Sequence, residues 1–241
     1  MKRLAALLFS ILCLAGCGQA GTMQAPPPAH PPDLSGLFVQ NVAQRLAALP
    51  GDPFTHKSAS ATSKAGDPIN LVFVGSSDQV RSALAQAGWV SADPIDLASS
   101  LNIASAVAFH RPYPTAPVSA LYEFGRAQDL AYQRNSDDAI SRDHCRLWRC
   151  PKSDAQGHEV WLVNAAKDAD VRVLGGPTHV IAPTLDAERD YLAATLLATG
   201  RVSDDYRIAG IGHPYQGLNG EGDPYDTDGM ARVLDLSAHG S

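Results

Sequence analysis

The chain is short of charged residues and of long apolar runs, and each shortage removes a class of protein. Only 18% of its 241 residues are charged, and 19 basic against 25 acidic residues give a net charge of −6, so nothing favours nucleic acid as a partner. No apolar run has the length of a membrane-spanning helix. The G-x-S-x-G, H-E-x-x-H and P-loop motifs are also missing, which removes the enzyme families that those motifs identify.

The first residues are typical of a secretory signal. Lys2 and Arg3 supply positive charge, and residues 4–14 form an apolar stretch that is too short to span a bilayer comfortably. The sequence Leu14-Ala15-Gly16-Cys17 that follows resembles the bacterial lipobox, which implies cleavage after residue 16 and lipidation of Cys17. Gly18, where retention in the inner membrane usually needs Asp, favours the periplasmic face of the outer membrane.

Residues 17–34 contain clustered prolines and small residues, and this composition predicts an extended tether. Loss of residues 1–16 would take Lys2 and Arg3 from the 19 basic residues and nothing from the 25 acidic ones, so the mature chain carries a net charge of −8. The lipid is the only membrane attachment that we expect. We expect the remaining chain to comprise a short helix at 35–50, a linker at 51–66, a compact domain at 67–236 and a tail at 237–241.

The helix expected at 35–50 is amphipathic. Phe38, Val42, Leu46 and Leu49 recur at helical spacing, with Gln40, Gln44 and Arg45 opposite, and Pro50-Gly51 ends the pattern. It either caps the domain or binds a partner.

Apolar periodicity in the domain predicts helices that surround a block of strands. Short segments rich in β-forming residues are separated by Gly, Pro, Asn and Asp. The predicted strands are 69–74, 122–124, 129–133, 144–149, 159–164, 171–174, 178–182, 206–211 and 230–236, and the predicted helices are 78–87, 96–109 and 185–199. This order predicts an α/β (α+β) sandwich: a mixed, mainly antiparallel sheet with helices packed on one face and the other face open for binding. The stretch from Gly212 to Gly229 is predicted as a loop, and it fails the EF-hand pattern because Pro224 falls on the first ligand position, so no metal site is predicted.

Two cysteines remain after the signal and the lipid site. Cys145 and Cys150 would lie in an oxidising compartment, where a disulfide between them is one alternative. Five residues of extended strand separate the Cα atoms by about 16 Å, so the bridge requires a turn near 148–151. The other alternative is a pair of free thiols.

The stretch 143–151 is the centre of the predicted ligand surface. In a strand, His144, Arg146 and Trp148 point to one side, and together they offer groups that hold an anion or a ring. Arg126 and Asp129 flank a turn, where they could clamp a ligand or form a local ion pair.

Several segments together resemble the LssY C-terminal domain family. They are Leu121-Tyr122-Glu123-Phe124-Gly125-Arg126-Ala127-Gln128-Asp129-Leu130-Ala131-Tyr132-Gln133, His144-Cys145-Arg146-Leu147-Trp148-Arg149, Thr178-His179-Val180-Ile181, Asp186-Ala187-Glu188-Arg189-Asp190 and Gly222-Asp223-Pro224-Tyr225-Asp226-Thr227-Asp228-Gly229. In that family the domain often follows membrane-embedded parts that include a type 2 phosphatidic acid phosphatase domain. That domain is absent from this sequence, so the resemblance implies no phosphatase activity.

Two functions follow as hypotheses. The first is an accessory module of the bacterial envelope, not an enzyme, that binds an anionic ligand or an envelope protein through Arg126, Asp129, His144, Arg146, Trp148 and His179; its cofactors, if any, are unknown. The second is an envelope hydrolase, for example a metal-dependent phosphoesterase, in which His144 and His179 act with Asp186 and Glu188. The two histidines would have to meet in a pocket beside a carboxylate for the second hypothesis to hold.

Overall fold

The computed structural model describes residues 54–57, 64–94, 113–135, 141–172, 178–219 and 222–238. The strands are β1 (Phe54–His56), β2 (Ala65–Pro68), β3 (Leu71–Val74), β4 (Val90–Ser91), β5 (Tyr122–Glu123), β6 (Arg126–Ala127), β7 (Leu130–Asn135), β8 (Arg142–Arg149), β9 (Val160–Arg172), β10 (Thr178–Ile181), β11 (Asp204–Ile208), β12 (Tyr215–Leu218), β13 (Pro224–Thr227) and β14 (Ala231–Asp235). The helices are α1 (Ser77–Gln86) and α2 (Leu185–Leu197).

One large sheet organises the domain. Its strand order is β11-β14-β3-β9-β8-β7-β4, and β10 also pairs with β9. Strand β14 runs parallel to β3, whereas the other pairs in this sheet are antiparallel. The expected mixed, mainly antiparallel sheet is confirmed.

Both described helices pack on the same face of this sheet. Val80 and Leu84 of α1 and Leu192 and Leu196 of α2 are buried in one cluster with strand residues such as Leu147. Helix α1 begins at a Ser76 cap: the Ser76 hydroxyl accepts from the Gln79 amide, and the Gln79 side chain accepts from the Ser76 amide. The turn between β3 and α1 is therefore a capped strand-to-helix connection.

The opposite face of the sheet is covered, which contradicts the expected open face. Trp148 and Leu162 are buried there in a second cluster that includes Leu121, and Phe124 packs against it. Leu121 and Phe124 flank β5, which belongs to a four-stranded sheet in the order β2-β1-β5-β6. The helices, the large sheet and this smaller sheet therefore form successive layers.

Two other predictions are wrong at the level of elements. Strand β1 and the start of β2 lie within 51–66, which was predicted to be a linker, and Phe54 and Thr55 are buried. The predicted loop 212–229 contains the β12-β13 hairpin, in which Tyr215 and Tyr225 pack against each other at a ring distance of 5.4 Å. Aromatic burial, which the many Gly and Asp residues obscure in the sequence, explains why this segment is ordered.

Some predictions lie outside the described residues: the signal peptide, Cys17, the tether, the helices at 35–50 and 96–109, and most of the tail. In the described part of the chain, no helix combines the length and the apolar character needed to cross a membrane.

Candidate functional site

The predicted alternation along β8 is correct, but its consequence for binding is not. Cys145 and Leu147 pack on the helix side, while Trp148 belongs to the cluster on the other side. His144, Arg146 and Trp148 are only 1%, 5% and 0% exposed. These three side chains are buried, so the surface that they were predicted to form is not open to a ligand.

Arg146 is held by the segment that covers this face. Its Nε donates to the Ser119 carbonyl at 2.8 Å, its Nη2 to the Ser119 hydroxyl at 2.9 Å, and its Nη1 to Asn164 Oδ1 at 3.1 Å. Four residues earlier in β8, Arg142 donates to Asp168 and to the carbonyls of residues 116 and 117. Both guanidinium groups therefore fasten the 113–121 segment to the sheet.

His144 lies between these two arginines and is electrically neutral. Burial lowers the pKa of His144 to about 3, and the nearby arginines act in the same direction, whereas Asp168 opposes them. Its Nδ1 is 3.6 Å from Asp168 Oδ1, and neither ring nitrogen has a hydrogen-bond partner in the described part of the chain. A buried imidazole with such a pKa is not poised to exchange protons with a substrate near neutral pH.

The strand registers separate His144 from His179. Strand β9 places Ala166 opposite His144 and Val171 opposite His179. Five residues along one strand correspond to about 16 Å, which is too far for two imidazoles to share a metal or a substrate proton. The His179 side chain lies outside what the structure describes, and the conclusion rests on the backbone register alone.

Asp186 has a structural role at the start of α2. Its Oδ1 accepts from the Thr227 hydroxyl at 2.8 Å, and its Oδ2 accepts from the Asp228 amide. Thr184 is the N-cap residue, but its side chain makes no cap hydrogen bond. The carboxylate of Asp186 therefore connects α2 to the turn after β13.

Arg189 completes this connection, and sequence reasoning underestimated it. Its side chain is 1% exposed and forms ion pairs with Asp186, Asp190 and Asp228 at 2.7 to 3.0 Å. Arg207 and Arg232 extend the network on the surface. Burial alone would lower the pKa of Arg189, but the hydrogen bonds that Arg189 donates to Asp190 and Asp228 outweigh burial and raise that pKa, so the guanidinium remains charged. Arg189 was not among the predicted site residues, because its contact with Asp228 joins two segments that are far apart in the sequence.

Glu188 lies among charged groups on the helix side of the sheet. It is 5% exposed, and its pKa is raised to about 8 by burial and then by Asp143. The Lys167 ammonium donates to Asp143 Oδ1 at 2.8 Å. Glu188 is therefore protonated near neutral pH, so it can donate a proton but is not an anionic base. Asp143 and Lys167 were not among the predicted site residues.

Arg126 and Asp129, by contrast, line a cleft of about 400 Å³. The other lining residues are Arg149, Cys150, Pro151, Ser153 and Glu159. Strand β6 supplies Arg126, the connection just before β7 supplies Asp129, and the end of β8 supplies Arg149. Sequence reasoning missed Arg149 because the period of two places it on the opposite side of the strand from Arg146.

A tight hairpin presents Arg126 to this cleft. Glu123 pairs with Arg126, and the two residues between them have positive φ, 51° at Phe124 and 73° at Gly125. A turn with two positive φ values joins antiparallel strands of normal twist. The Arg126 guanidinium then lies 5.3 Å from the centre of the Phe124 ring, so the ring and the turn fix its position.

The two arginines of the cleft keep N–H donors that no residue in the described ranges accepts. Arg126 donates through Nε and Nη2 to Asp129 and through Nη2 to the Arg149 carbonyl. Arg149 is 57% exposed at its side chain and donates only through Nη1, to Glu159 Oε1 at 3.0 Å, within the described chain. Each guanidinium has five N–H donors, so both can still contact an anion.

Electrostatics keeps the Arg126–Asp129 pair ionised. Burial would raise the pKa of Asp129, but the hydrogen bonds from Arg126 and from the Arg149 backbone outweigh it and lower that pKa. The hydrogen bond that Arg126 donates to Asp129 is also the largest influence on the pKa of Arg126, and it raises that pKa. The pair is half-exposed, so its contribution to stability is small and its effect is to orient Arg126.

The two cysteines are free thiols, which overturns the disulfide alternative. Strand β8 continues to Arg149 without the required turn, and Cys145 and Cys150 belong to clusters on opposite faces of the sheet. Burial raises the pKa of Cys150 to about 12 and raises that of Cys145 further. Neither thiol is therefore an activated nucleophile.

No group of three or more His, Cys, Asp or Glu side chains in the described ranges is arranged to hold a metal ion.

Comparison with known proteins identifies one family. The family model described as LssY C-terminus matches residues 51–231, a range that begins just before β1 and ends at the start of β14. No curated protein and no solved structure matches the chain. Since the match covers about three quarters of the sequence, the chain belongs to the LssY C-terminus family.

Proposed function

We propose that this protein is an accessory binding module of the bacterial cell envelope, anchored through lipidated Cys17 on the periplasmic side of the outer membrane. Its ligand is anionic, either a small molecule or an acidic group of an envelope partner. The observation that carries the proposal is the cleft between Arg126 and Arg149, which Ser153 also lines and where both guanidinium groups keep N–H donors that no described residue accepts.

The cleft is suited to an anionic ligand that binds alongside the existing carboxylate contacts. Two arginines face Asp129 and Glu159, so the lining is balanced in charge and does not repel a neutral or weakly anionic molecule. A phosphate or carboxylate would accept from Arg149 through its free N–H groups, while Asp129 holds Arg126 in place. Specificity then comes from geometry, since an Arg fork matches planar carboxylates and phosphates in two-point contact.

The hydrolase hypothesis has less support. His144 is buried and neutral, the strand register keeps His179 away from it, and Asp186 is bonded to the turn after β13. Among the described side chains of that hypothesis, Glu188 is the one whose pKa is shifted toward neutrality, and it lies on the other side of the sheet from His144.

Titration with inorganic phosphate, followed through the arginine Nε–H signals by NMR, tests the binding function. We expect Arg149→Ala to weaken binding about tenfold, because the mutation removes the guanidinium with the most unused donors. Lys152→Ala is the matched control: Lys152 carries the same charge and is exposed close by, but it does not line the cleft. Equal weakening by both substitutions would show only a loss of net charge, and the proposal would then be abandoned.

A further inference from the structure

The lining of the cleft carries positive and negative side chains in equal number. Arg126 and Arg149 supply the guanidinium groups, whereas the carboxylates come from Asp129 and Glu159. The Cys150 thiol adds no charge, because burial raises its pKa to about 12. A ligand with only negative charge is therefore attracted by two of these groups and repelled by the other two, while a ligand that carries both charges can be attracted by all four.

The two carboxylates differ in how far protein donors occupy them. Asp129 Oδ1 accepts from Arg126 Nε at 3.1 Å, and its Oδ2 accepts from Arg126 Nη2 and from the Arg149 amide at 2.7 Å each. Among the described residues, Glu159 Oε1 accepts only from Arg149 Nη1 at 3.0 Å, and its Oε2 only from the Ser77 amide at 2.9 Å. Since a carboxylate oxygen can accept two hydrogen bonds, Glu159 keeps an open acceptor position on each oxygen.

The open acceptors of Glu159 lie next to the open donors of Arg149. The Arg149 side chain is 57% exposed, and its Nε and Nη2 donate to no residue in the described ranges. The Glu159 side chain is 30% exposed, and the 3.0 Å ion pair joins it to Arg149. Both side chains line the cleft. A ligand there therefore meets free N–H donors and free carboxylate acceptors side by side.

We propose that the ligand of the cleft is a zwitterion with a short linker between its charges, which rests on the proposed function and specifies its ligand class. The anionic group, a phosphate or a carboxylate, accepts hydrogen bonds from Arg149. The ammonium group donates to Glu159, so both ends form charge-assisted hydrogen bonds. A phosphoethanolamine headgroup and a small amino acid share this chemistry.

Titration calorimetry of the full mature chain in a non-ionic detergent tests this ligand class with two matched pairs of probes. Phosphoethanolamine is compared with ethyl phosphate, and β-alanine is compared with propionate, so that each pair differs by the ammonium group. We expect the zwitterion to bind about tenfold more tightly in at least one pair, because it gains one hydrogen bond to a charged group. A preference in the first pair indicates a phosphoethanolamine headgroup, and a preference in the second indicates an amino acid.

Glu159→Gln separates the ammonium contact from the rest of the site. This variant should lose the preference for the zwitterion but still bind ethyl phosphate or propionate, since the Arg149 guanidinium is unchanged. Asp78→Asn is the matched control. Asp78 is an exposed carboxylate next to Ser77 and does not line the cleft, so the preference should persist in that variant.

The outcomes distinguish the ligand class from the binding function itself. Equal binding within both pairs, or a preference that survives Glu159→Gln, would overturn the zwitterion. The proposed function would still stand in that case, provided that Arg149→Ala weakens binding of the same probes. If none of the four probes binds, or if Arg149→Ala binds them as the parent protein does, the proposed function fails and the zwitterion fails with it.

Discussion

At the scale of single residues, His144 shows how a recognisable chemical group can have no role in chemistry. The sequence places it correctly on one side of β8, but the covering segment excludes it from solvent and lowers its pKa to about 3. The unfolded chain binds a proton at this histidine below pH 6.5, and the folded protein does so only near pH 3. Stability contributed by the neutral imidazole is therefore lost as the pH falls through this range.

His144→Leu should reduce that acid sensitivity. We expect the loss of unfolding free energy between pH 7 and pH 4.5 to be smaller by about 2 kcal/mol in the variant, because Leu cannot take up a proton in the unfolded state. Urea denaturation at the two pH values measures this difference. His213→Leu, a substitution at an exposed histidine, should leave the difference unchanged; an equal change in both variants would contradict the explanation.

The contribution of Glu188 to stability has the opposite dependence on pH. Its folded pKa of about 8 lies above its ordinary value of 4.5, so the folded protein keeps a proton that the unfolded chain releases. Stability from this group is complete below pH 4.5 and is lost as the pH rises toward 8.

Glu188→Gln should therefore reduce the decline in unfolding free energy between pH 5 and pH 8 by about 1 to 2 kcal/mol, as measured by urea denaturation. The exposed Asp78→Asn variant is the control; the same decline in Glu188→Gln and in the parent protein would show that Glu188 is ionised in the folded state.

At the scale of elements, Arg189 joins α2 to the turn between β13 and β14. Removal of its side chain leaves three aspartates without their buried partner, and we expect Arg189→Met to lower the unfolding free energy by about 3 kcal/mol. Arg207 contacts two of the same aspartates but is 45% exposed, so Arg207→Met should cost less than about 1 kcal/mol. Denaturant titration of both variants measures this contrast. Similar losses of unfolding free energy would mean that the burial of Arg189 makes its ion pairs no more stabilising than exposed ones.

The periodicity of the sequence predicts most elements but not their surroundings. Helix α2 and strands β3, β8 and β14 were predicted within a few residues, because buried apolar side chains recur there at the period of a helix or as a strand. Strand β1 and the β12-β13 hairpin were missed. Each is short and rich in polar or turn residues, and each is ordered by contacts such as that of Phe54 with Tyr215, which joins positions far apart in the chain.

The candidate site was predicted only in part, because local patterns in the sequence do not reveal contacts between positions that are far apart in the chain. Arg126 and Asp129 lie in the cleft because their turn is local, and local geometry can be inferred from sequence. His144, Arg146 and Trp148 were assigned to a surface, since alternation defines a side of a strand but not whether another layer covers it. Arg149 lies at the end of β8, where its side chain is exposed and lines the cleft.

At the scale of the whole molecule, a domain of the LssY C-terminus family follows a segment that we expect to attach it to the envelope. Cys17→Ser should move the protein from the membrane fraction to the soluble periplasmic fraction, because without its lipid the chain keeps no other anchor that we expect. Fractionation followed by immunoblotting measures this shift. Cys13→Ser, within the expected signal peptide, should leave the protein in the membrane; release of both variants, or of neither, would contradict lipidation at Cys17.

The central claim is that the cleft between Arg126 and Arg149 binds an anionic ligand of the envelope. Native mass spectrometry of the mature protein, released gently from the envelope, tests it most directly. We predict an added mass of a small anion or an anionic partner that is absent from Arg149→Ala and retained in Lys152→Ala. A bare mass in the parent protein, or an added mass that persists in Arg149→Ala, would contradict the claim.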